Sequence, residues 1–429
     1  MSDKVNRREF VTTGAVTTGA LALGTSRLFA QGSQTINVGI IGCGGRGGGA
    51  VINVLEADKD VKIAAICDLH MDRAKGTLAN VKKKAANQVT ATNETLFDGL
   101  DGYKKLLALP DINYVILATP PGFRPYHLEA AVEAGKNIFT EKPVATDVAG
   151  IRRVLDAAKK SQSKGLKIAA GTQRRHEAGY IEIMKRLHDG EFGDILSGRV
   201  YWNGQTPWFH PREKGMNDAQ YQIHNWYHFM WLCGDHIVEQ HVHNLDVANW
   251  AMNATPVKVS GMGGRSNRPV GDPKEVGNIF DHFALEYEYP NGVIVQSYCR
   301  QIDKCDNNIS ESFVGTKGKT YTRSDYYRAN DRELDLPSHP YVQEHIDLLK
   351  AIRDNKPLNE LEQVANSTFN AIIGRMAAYS GKTLKWDDVL HGNRWFEDTF
   401  PKKLSMDLEN LPVDPVPVVG NWRPKQTQG

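Results

Sequence analysis

From residue 36 to about 170, short unbroken apolar runs alternate with stretches whose apolar residues recur at helical spacing. The runs Ile36-Asn37-Val38-Gly39-Ile40-Ile41, Val61–Cys67, Tyr114–Ala118, Asn137–Thr140 and Lys167–Ala170 read as strands. They are too continuously apolar to keep one face in water, which is the habit of parallel strands covered on both sides. Between them, Ala50-Val51-Ile52 with Val54-Leu55 has helical spacing, as does Leu128–Ala134, opened by His127 and stopped by Gly135. Alternating strands and helices predict an α/β layer with a parallel sheet.

From Ile195 the texture changes. Leu196–Trp202, Val257–Met262 and Phe280–Arg300 are strand-like, the last folded back at Pro290-Asn291-Gly292. A further turn falls at Gly315-Thr316-Lys317-Gly318, and helical patterns follow over 341–352 and 364–379, the second ending near Gly381. This half reads as an α+β domain with a large, mostly antiparallel open sheet. The chain divides into 1–33, an export leader; 34–175, the parallel α/β layer; 176–395, the α+β domain; and 396–429, a Pro-rich tail laid over the surface.

The leader assignment rests on Asn6-Arg7-Arg8-Glu9-Phe10-Val11 followed by a Thr/Gly/Ala-rich stretch to Gly24. It resembles a twin-arginine signal, which sends folded proteins through the twin-arginine translocon to the periplasm. Cleavage after Ala30 fits except for Leu28 at the minus-three position, and residues 11–24 are too short and too rich in Thr and Gly to span a bilayer. Charge is nearly balanced, 52 basic against 50 acidic residues, with only short basic runs such as Lys82-Lys83-Lys84, which argues against a nucleic-acid partner. Five irregularly spaced cysteines make no disulfide framework. Cys43 and Cys67 are expected to be buried thiols, and Cys299 could pair with Cys305.

The candidate chemistry begins where the first strand ends, at Gly42-Cys43-Gly44-Gly45-Arg46-Gly47. Three glycines in Gly-x-Gly-x-x-Gly are weak alone. Here they stand between a strand and a helix, and Asp68 ends the second strand 21 residues after Gly47. Glycines let the backbone approach a pyrophosphate, the helix N-terminus faces its charge, and the carboxylate accepts from ribose hydroxyls. An acidic side chain there repels a 2′-phosphate, which favours NAD over NADP.

Thr119-Pro120, His127 and Glu141-Lys142-Pro143, spaced as they are after the glycines, resemble the Gfo/Idh/MocA oxidoreductases, the family of glucose–fructose oxidoreductase and inositol dehydrogenase. The resemblance covers roughly residues 35–395. It implies a Rossmann NAD domain and places Lys142, in a bond to Pro143 that is often cis, beside the nicotinamide and the reacting hydroxyl. By the same resemblance Gln173, Arg174 and Arg175 lie against cofactor and substrate. It also implies a homo-oligomer, dimer or tetramer, joined through the open sheet face. Read from the residues, Lys142 is either an ammonium that polarises a sugar oxygen or a solvated surface lysine, and Arg174 and Arg175 could simply pair with acids.

In Glu239-Gln240-His241-Val242-His243-Asn244-Leu245-Asp246, the residues Glu239, His243 and Asp246 match the family's acid–His–Asp spacing, a resemblance that puts Asp246 against the substrate. Positions i, i+4 and i+7 share one face of a helix. Glu239 stands where the family usually has Asp, and His241 where Gly is common, so the pocket should be reshaped. An imidazole with the usual pKa near 6.5 suits a general base, which makes His243 the expected base with Glu239 supporting it; the alternative is a core histidine. A metal on His236, Glu239, His241 and His243 is not expected, because residues two apart on a helix diverge. Trp202, Trp208, Trp226, Tyr227 and Trp231, interspersed with His210, His224 and His228, suit sugar C–H faces, with Trp226 the chosen contact. Together these predict an exported oxidoreductase that transfers hydride between a sugar, glycoside or polyol hydroxyl and tightly bound NAD. The alternatives are an NAD-dependent glycoside hydrolase or lyase working by transient oxidation, and a non-catalytic NAD-linked sugar-binding protein.

Overall fold

A computed structural model of the chain describes residues 35–324 and 326–425. The leader expected over 1–33 lies outside the described residues, as do the last four residues of the tail.

Six parallel strands, β1 (Ile36–Ile41), β2 (Val61–Cys67), β3 (Leu96–Phe97), β4 (Tyr114–Leu117), β5 (Asn137–Thr140) and β6 (Ile168–Ala170), form a sheet ordered β3-β2-β1-β4-β5-β6. The continuous apolar runs have the predicted cause. Tyr114 and Ile116 join one apolar cluster while Val115 and Leu117 join another on the opposite face, and all four are fully buried. The strand order reverses between β1 and β4, and the crevice at their carboxyl ends is where such sheets bind ligands.

The second sheet has nine strands: β7 (Ile195–Gly204), β8 (Lys258–Gly264), β9 (His282–Glu288), β10 (Ile294–Gln301), β11 (Asn308–Gly315), β12 (Lys319–Arg323), β13 (Tyr326–Ala329), β14 (Arg332–Leu334) and β15 (Leu384–Lys385). Their order is β14-β13-β12-β11-β7-β10-β9-β8-β15, and only the β7–β10 pair is parallel. The β9–β10 hairpin closes with Gly292 in the left-handed region, where φ is 80°. One face of this sheet packs on helices Val242–Met252 and Leu361–Ser380 through a single apolar core.

Sequence patterning placed the helices beyond residue 340 wholly in the second domain. Instead they also close the first domain's core: Leu348 and Leu349 of helix Pro340–Arg353 join one apolar cluster of the parallel sheet, and Leu361, Val364 and Ala365 the other. From 398 to 425 the tail has turns and bends but no helix or strand, with Leu411 buried and the Met406 and Leu411 carbonyls accepting from Asn217 and Gln222. All five cysteines are free, so Cys299, which is buried, does not pair with the exposed Cys305; Cys67 is buried and Cys43 only half-buried. No helix among the described residues is long and apolar enough to cross a membrane.

Candidate active site

The glycine turn is dictated by contact. Gly42 has φ of 100°, and a Cβ there would sit 2.7 Å from the Ala118 backbone; one on Gly47 would sit 1.9 Å from the Gly42 carbonyl oxygen. Gly44 and Gly45 differ, because a Cβ on either meets nothing within 4 Å. Their open side is room in the cleft. Helix Gly45–Ala57 starts there without a side-chain cap, and first-turn N–H groups have no partner inside a helix, so the cradle fits a diphosphate.

Asp68 is buried and holds the turn: Oδ2 accepts from Cys43 N at 2.7 Å and Oδ1 from His70 N at 3.0 Å. A carboxylate has about four acceptor positions, so capacity remains for ribose hydroxyls. The residues present therefore fit NAD. A cavity of about 440 Å³ runs from this end, lined by Gly42, Gly44, Gly45, Arg46 and Asp68, past Thr119, Pro120, His127, Glu141, Lys142 and Gln173, to Trp226, Glu239 and His243. Gly47 backs the turn from outside that lining.

Thr119 Oγ1 and His127 Nδ1 lie 3.0 Å apart, and burial, aided by the nearby Arg124 charge, pushes His127 down to about 3. Arg46 is spent on the wall itself: Nε bonds Glu141 at 2.5 Å and Nη2 the buried Glu344 at 3.0 Å. Arg124, which sequence reasoning missed, is fully buried and ties the two strand ends together by donating to the carbonyls of Thr119 and Glu141. Its place in the first turn of a helix just after Pro120-Pro121 was the available signal. His70, Arg73, Tyr103 and His224 also line the cavity and went unpredicted.

The acid–histidine pair is built differently from the single helical stripe expected. The helix breaks after Glu239: His236–Glu239 and Val242–Met252 are separate, with His241 N bonding the His236 carbonyl and His243 N the Gln240 carbonyl, both at 3.3 Å. In an unbroken helix His243 N would take the Glu239 carbonyl. The break frees that carbonyl, and Lys142 Nζ donates to it at 2.6 Å and to Glu239 Oε1 at 3.1 Å. The Lys142–Pro143 bond is cis. Glu239 also accepts from the Tyr227 phenol, whose pKa rises well above its usual value through burial and then that carboxylate. His243 stacks on Trp202 at 5.7 Å, and its Nδ1 is buried without a partner. Burial, then the Lys142 charge, holds it well below the ordinary 6.5, so it is neutral at physiological pH rather than poised there.

Arg174, Arg175 and Asp246 do not line the cavity. Arg174 bonds the buried Glu311 at 2.6 Å, and Arg175 grips Asp246 through Nε at 2.8 Å and Nη2 at 3.0 Å. Asp246 follows His243 by one turn in the same helix, Val242–Met252, but its carboxylate is taken up by Arg175, Ser367 and Gln363. Trp231 is likewise buried, with Nε1 on Gln222, whereas Trp202, Trp208 and Tyr227 join Trp226 at the cavity wall.

Two family models match this architecture: an oxidoreductase family with an NAD-binding Rossmann fold over residues 36–168, and the GFO/IDH/MocA C-terminal domain over 180–321. A glycosyl hydrolase family 109 protein of Streptomyces coelicolor is 30% identical over 164 residues, 38% of this chain and 33% of that one. An inositol 2-dehydrogenase of Gluconacetobacter diazotrophicus is 29% identical over 164 residues, 38% of this chain and 44% of that one. The chain thus spans a third to under half the length of these relatives. A levoglucosan dehydrogenase solved with NADH and levoglucosan superposes with a TM-score of 0.65 at 16% identity, covering 82% of this chain and 99% of that one. With the glycine cleft and the sheet behind it each matched by its own model, the chain belongs to the GFO/IDH/MocA oxidoreductase family.

Proposed function

We propose that this protein is an exported NAD-dependent oxidoreductase acting on a CH–OH group of a sugar, glycoside or polyol. The observation that carries the reading is the convergence of Lys142, Glu239 and His243 on one wall of the cavity that begins at the glycine cradle. When bound, NAD supplies the acceptor for two electrons and the carbon-bound hydrogen. The ammonium of Lys142, oriented by the carbonyl and carboxylate of Glu239, stabilises negative charge on the reacting oxygen. Neutral His243 takes the hydroxyl proton, and its low proton affinity makes it release that proton readily. Aromatic rings beside them on the cavity wall suit the C–H face of a pyranose or cyclitol, in keeping with the inositol 2-dehydrogenase and levoglucosan dehydrogenase names among its relatives.

The Arg7-Arg8 start supports delivery to the periplasm with cofactor loaded, and the open sheet face supports a homo-oligomer. Protein purified from periplasm without added nucleotide should release about one NAD or NADH per chain on denaturation; empty protein would count against preloaded export. Lys142→Met and His243→Ala should each cut turnover by about 100-fold or more while NAD stays bound. An active double variant would overturn the assignment. The family 109 relative supports a second reading, glycoside cleavage through transient oxidation, which predicts aglycone release with no net NADH.

A further inference from the structure

Beyond the reacting centre, the cavity wall continues as a strip of rings. Trp202 stacks on His243, Tyr227 hydrogen-bonds Glu239, Trp226 lies 5.2 Å from Tyr227, and Trp208 lies 6.3 Å from Trp226 and 6.4 Å from Tyr227. Trp208 is 43% exposed, and the adjoining Phe209 36%. The two rings leave an apolar surface open where the aromatic strip of the cavity wall ends.

The loop that carries it is held firmly. Asn225, itself fully buried, accepts from His210 N at 2.9 Å and donates to the His210 carbonyl at 3.0 Å. His228 Nε2 bonds the Trp208 carbonyl at 2.7 Å, while buried Arg268 donates to His228 Nδ1 at 3.0 Å. The arginine fixes the tautomer: Nδ1 accepts, so Nε2 carries the hydrogen given to Trp208. His210 stacks on one side of the indole at 5.1 Å. The platform is rigid, wet and one ring removed from the group that orients Lys142.

The residues that line this end include Trp202, Trp208, Trp226, Tyr227 and Gln240 beside His224, which burial, then His210 and Arg73, hold below its usual pKa against the pull of Glu213. Gln240 Oε1 accepts from Gln301 Nε2 at 3.0 Å, which leaves its NH2 as a donor. The cations nearest the reacting centre are already paired, Lys142 with Glu239 and Arg46 with Glu141 and Glu344.

Resting on the oxidoreductase reading above, we infer that Trp208 is the platform of a second subsite, which takes a glycosyl unit joined to the ring being oxidised. The substrate class is then a disaccharide or glycoside rather than a free monosaccharide. A tenfold gain in affinity corresponds to about 1.4 kcal/mol.

The test compares cellobiose, lactose and maltose with glucose and galactose. Turnover is followed by nicotinamide reduction, and binding to the NAD-loaded protein by calorimetry. The expected result is that at least one disaccharide exceeds its monosaccharide about tenfold in kcat/KM, chiefly through KM. Trp208→Ala should collapse that ratio towards one, and Trp208→Phe should keep most of it; unchanged melting temperatures show that both fold. Equal handling of mono- and disaccharide by the wild type, or a preference that survives Trp208→Ala, sinks the subsite and leaves the oxidoreductase reading intact. Failure of every sugar to bind or react overturns both.

Discussion

Asp246 separates the two accounts of the helical acid most sharply, and Asp246→Asn is the perturbation. In the fold its carboxylate is 1% exposed and accepts from Arg175 Nε and Nη2, from Ser367 Oγ at 2.7 Å and from Gln363. The substitution keeps the shape but removes the charge and turns an NH2 towards guanidinium donors. Breaking a buried pair by neutralising one partner costs about 3–5 kcal/mol. The Arg175 side chain keeps 19% of its exposure, so water partly solvates the stranded cation, and the lower end, about 3 kcal/mol, applies. Arg175→Met strands the better buried group and should cost more, about 4–5 kcal/mol by the same rule. Arg175→Met combined with Asp246→Leu leaves no charge behind and should recover part of that loss. Urea unfolding of the NAD-loaded protein, followed by tryptophan fluorescence, measures all three. A loss below about 1 kcal/mol for Asp246→Asn, or a milder effect from Arg175→Met, refutes the reasoning, because surface-like pairs behave that way. If the folded variant instead showed normal stability and a raised sugar KM, Asp246 would return to the substrate.

Two more predictions follow from the same geometry. Asp68→Ala removes both the ribose acceptor and the anchor of the Cys43 and His70 amides, so NAD should be lost on dialysis and the melting temperature should fall even without nucleotide; retained NAD would contradict this. Acid should unfold the protein early. His127, His228 and His241 are depressed to about 3, 4 and 3 by burial first and neighbouring arginines next, so the unfolded chain binds their protons first as pH drops through 6.5. Each then loses about 1.2 kcal/mol of stability between about pH 7 and 5.5. His176 runs the other way: although burial opposes its charge, Asp347 and Glu360 raise it to about 10, and it returns about 0.8 kcal/mol over that interval. These four groups together contribute a fall of about 3 kcal/mol; His236, His243 and His345, also held low by burial, add to it, while Glu397, raised by burial to about 7, opposes it, and a urea-derived stability that does not fall over the interval would be inconsistent with buried neutral imidazoles.

Local pattern carried the first sheet because every residue of Tyr114–Leu117 is buried, and continuous burial leaves a continuous apolar signature. The glycine turn was equally readable, since Gly42 and Gly47 are required by backbone contacts a few residues or one strand away, and Asp68 follows at the end of the adjoining strand. Lys142 and His243 were legible only through family spacing; nothing in their neighbourhoods distinguishes a site lysine from a solvated one. Tertiary structure decided what spacing could not. A helix drawn from residue intervals assumes unbroken geometry, but the two shifted hydrogen bonds after Glu239 release a carbonyl for Lys142, while Asp246, one turn after His243 in the next helix, is claimed by Arg175. Arg174 and Arg175 look like mouth residues because they follow a buried strand, yet their charges are neutralised by Glu311 and Asp246, 137 and 71 residues away along the chain. Pairings at that range leave no trace in local periodicity, because the energy that selects them, the cost of an uncompensated buried charge, exists only once the elements have packed.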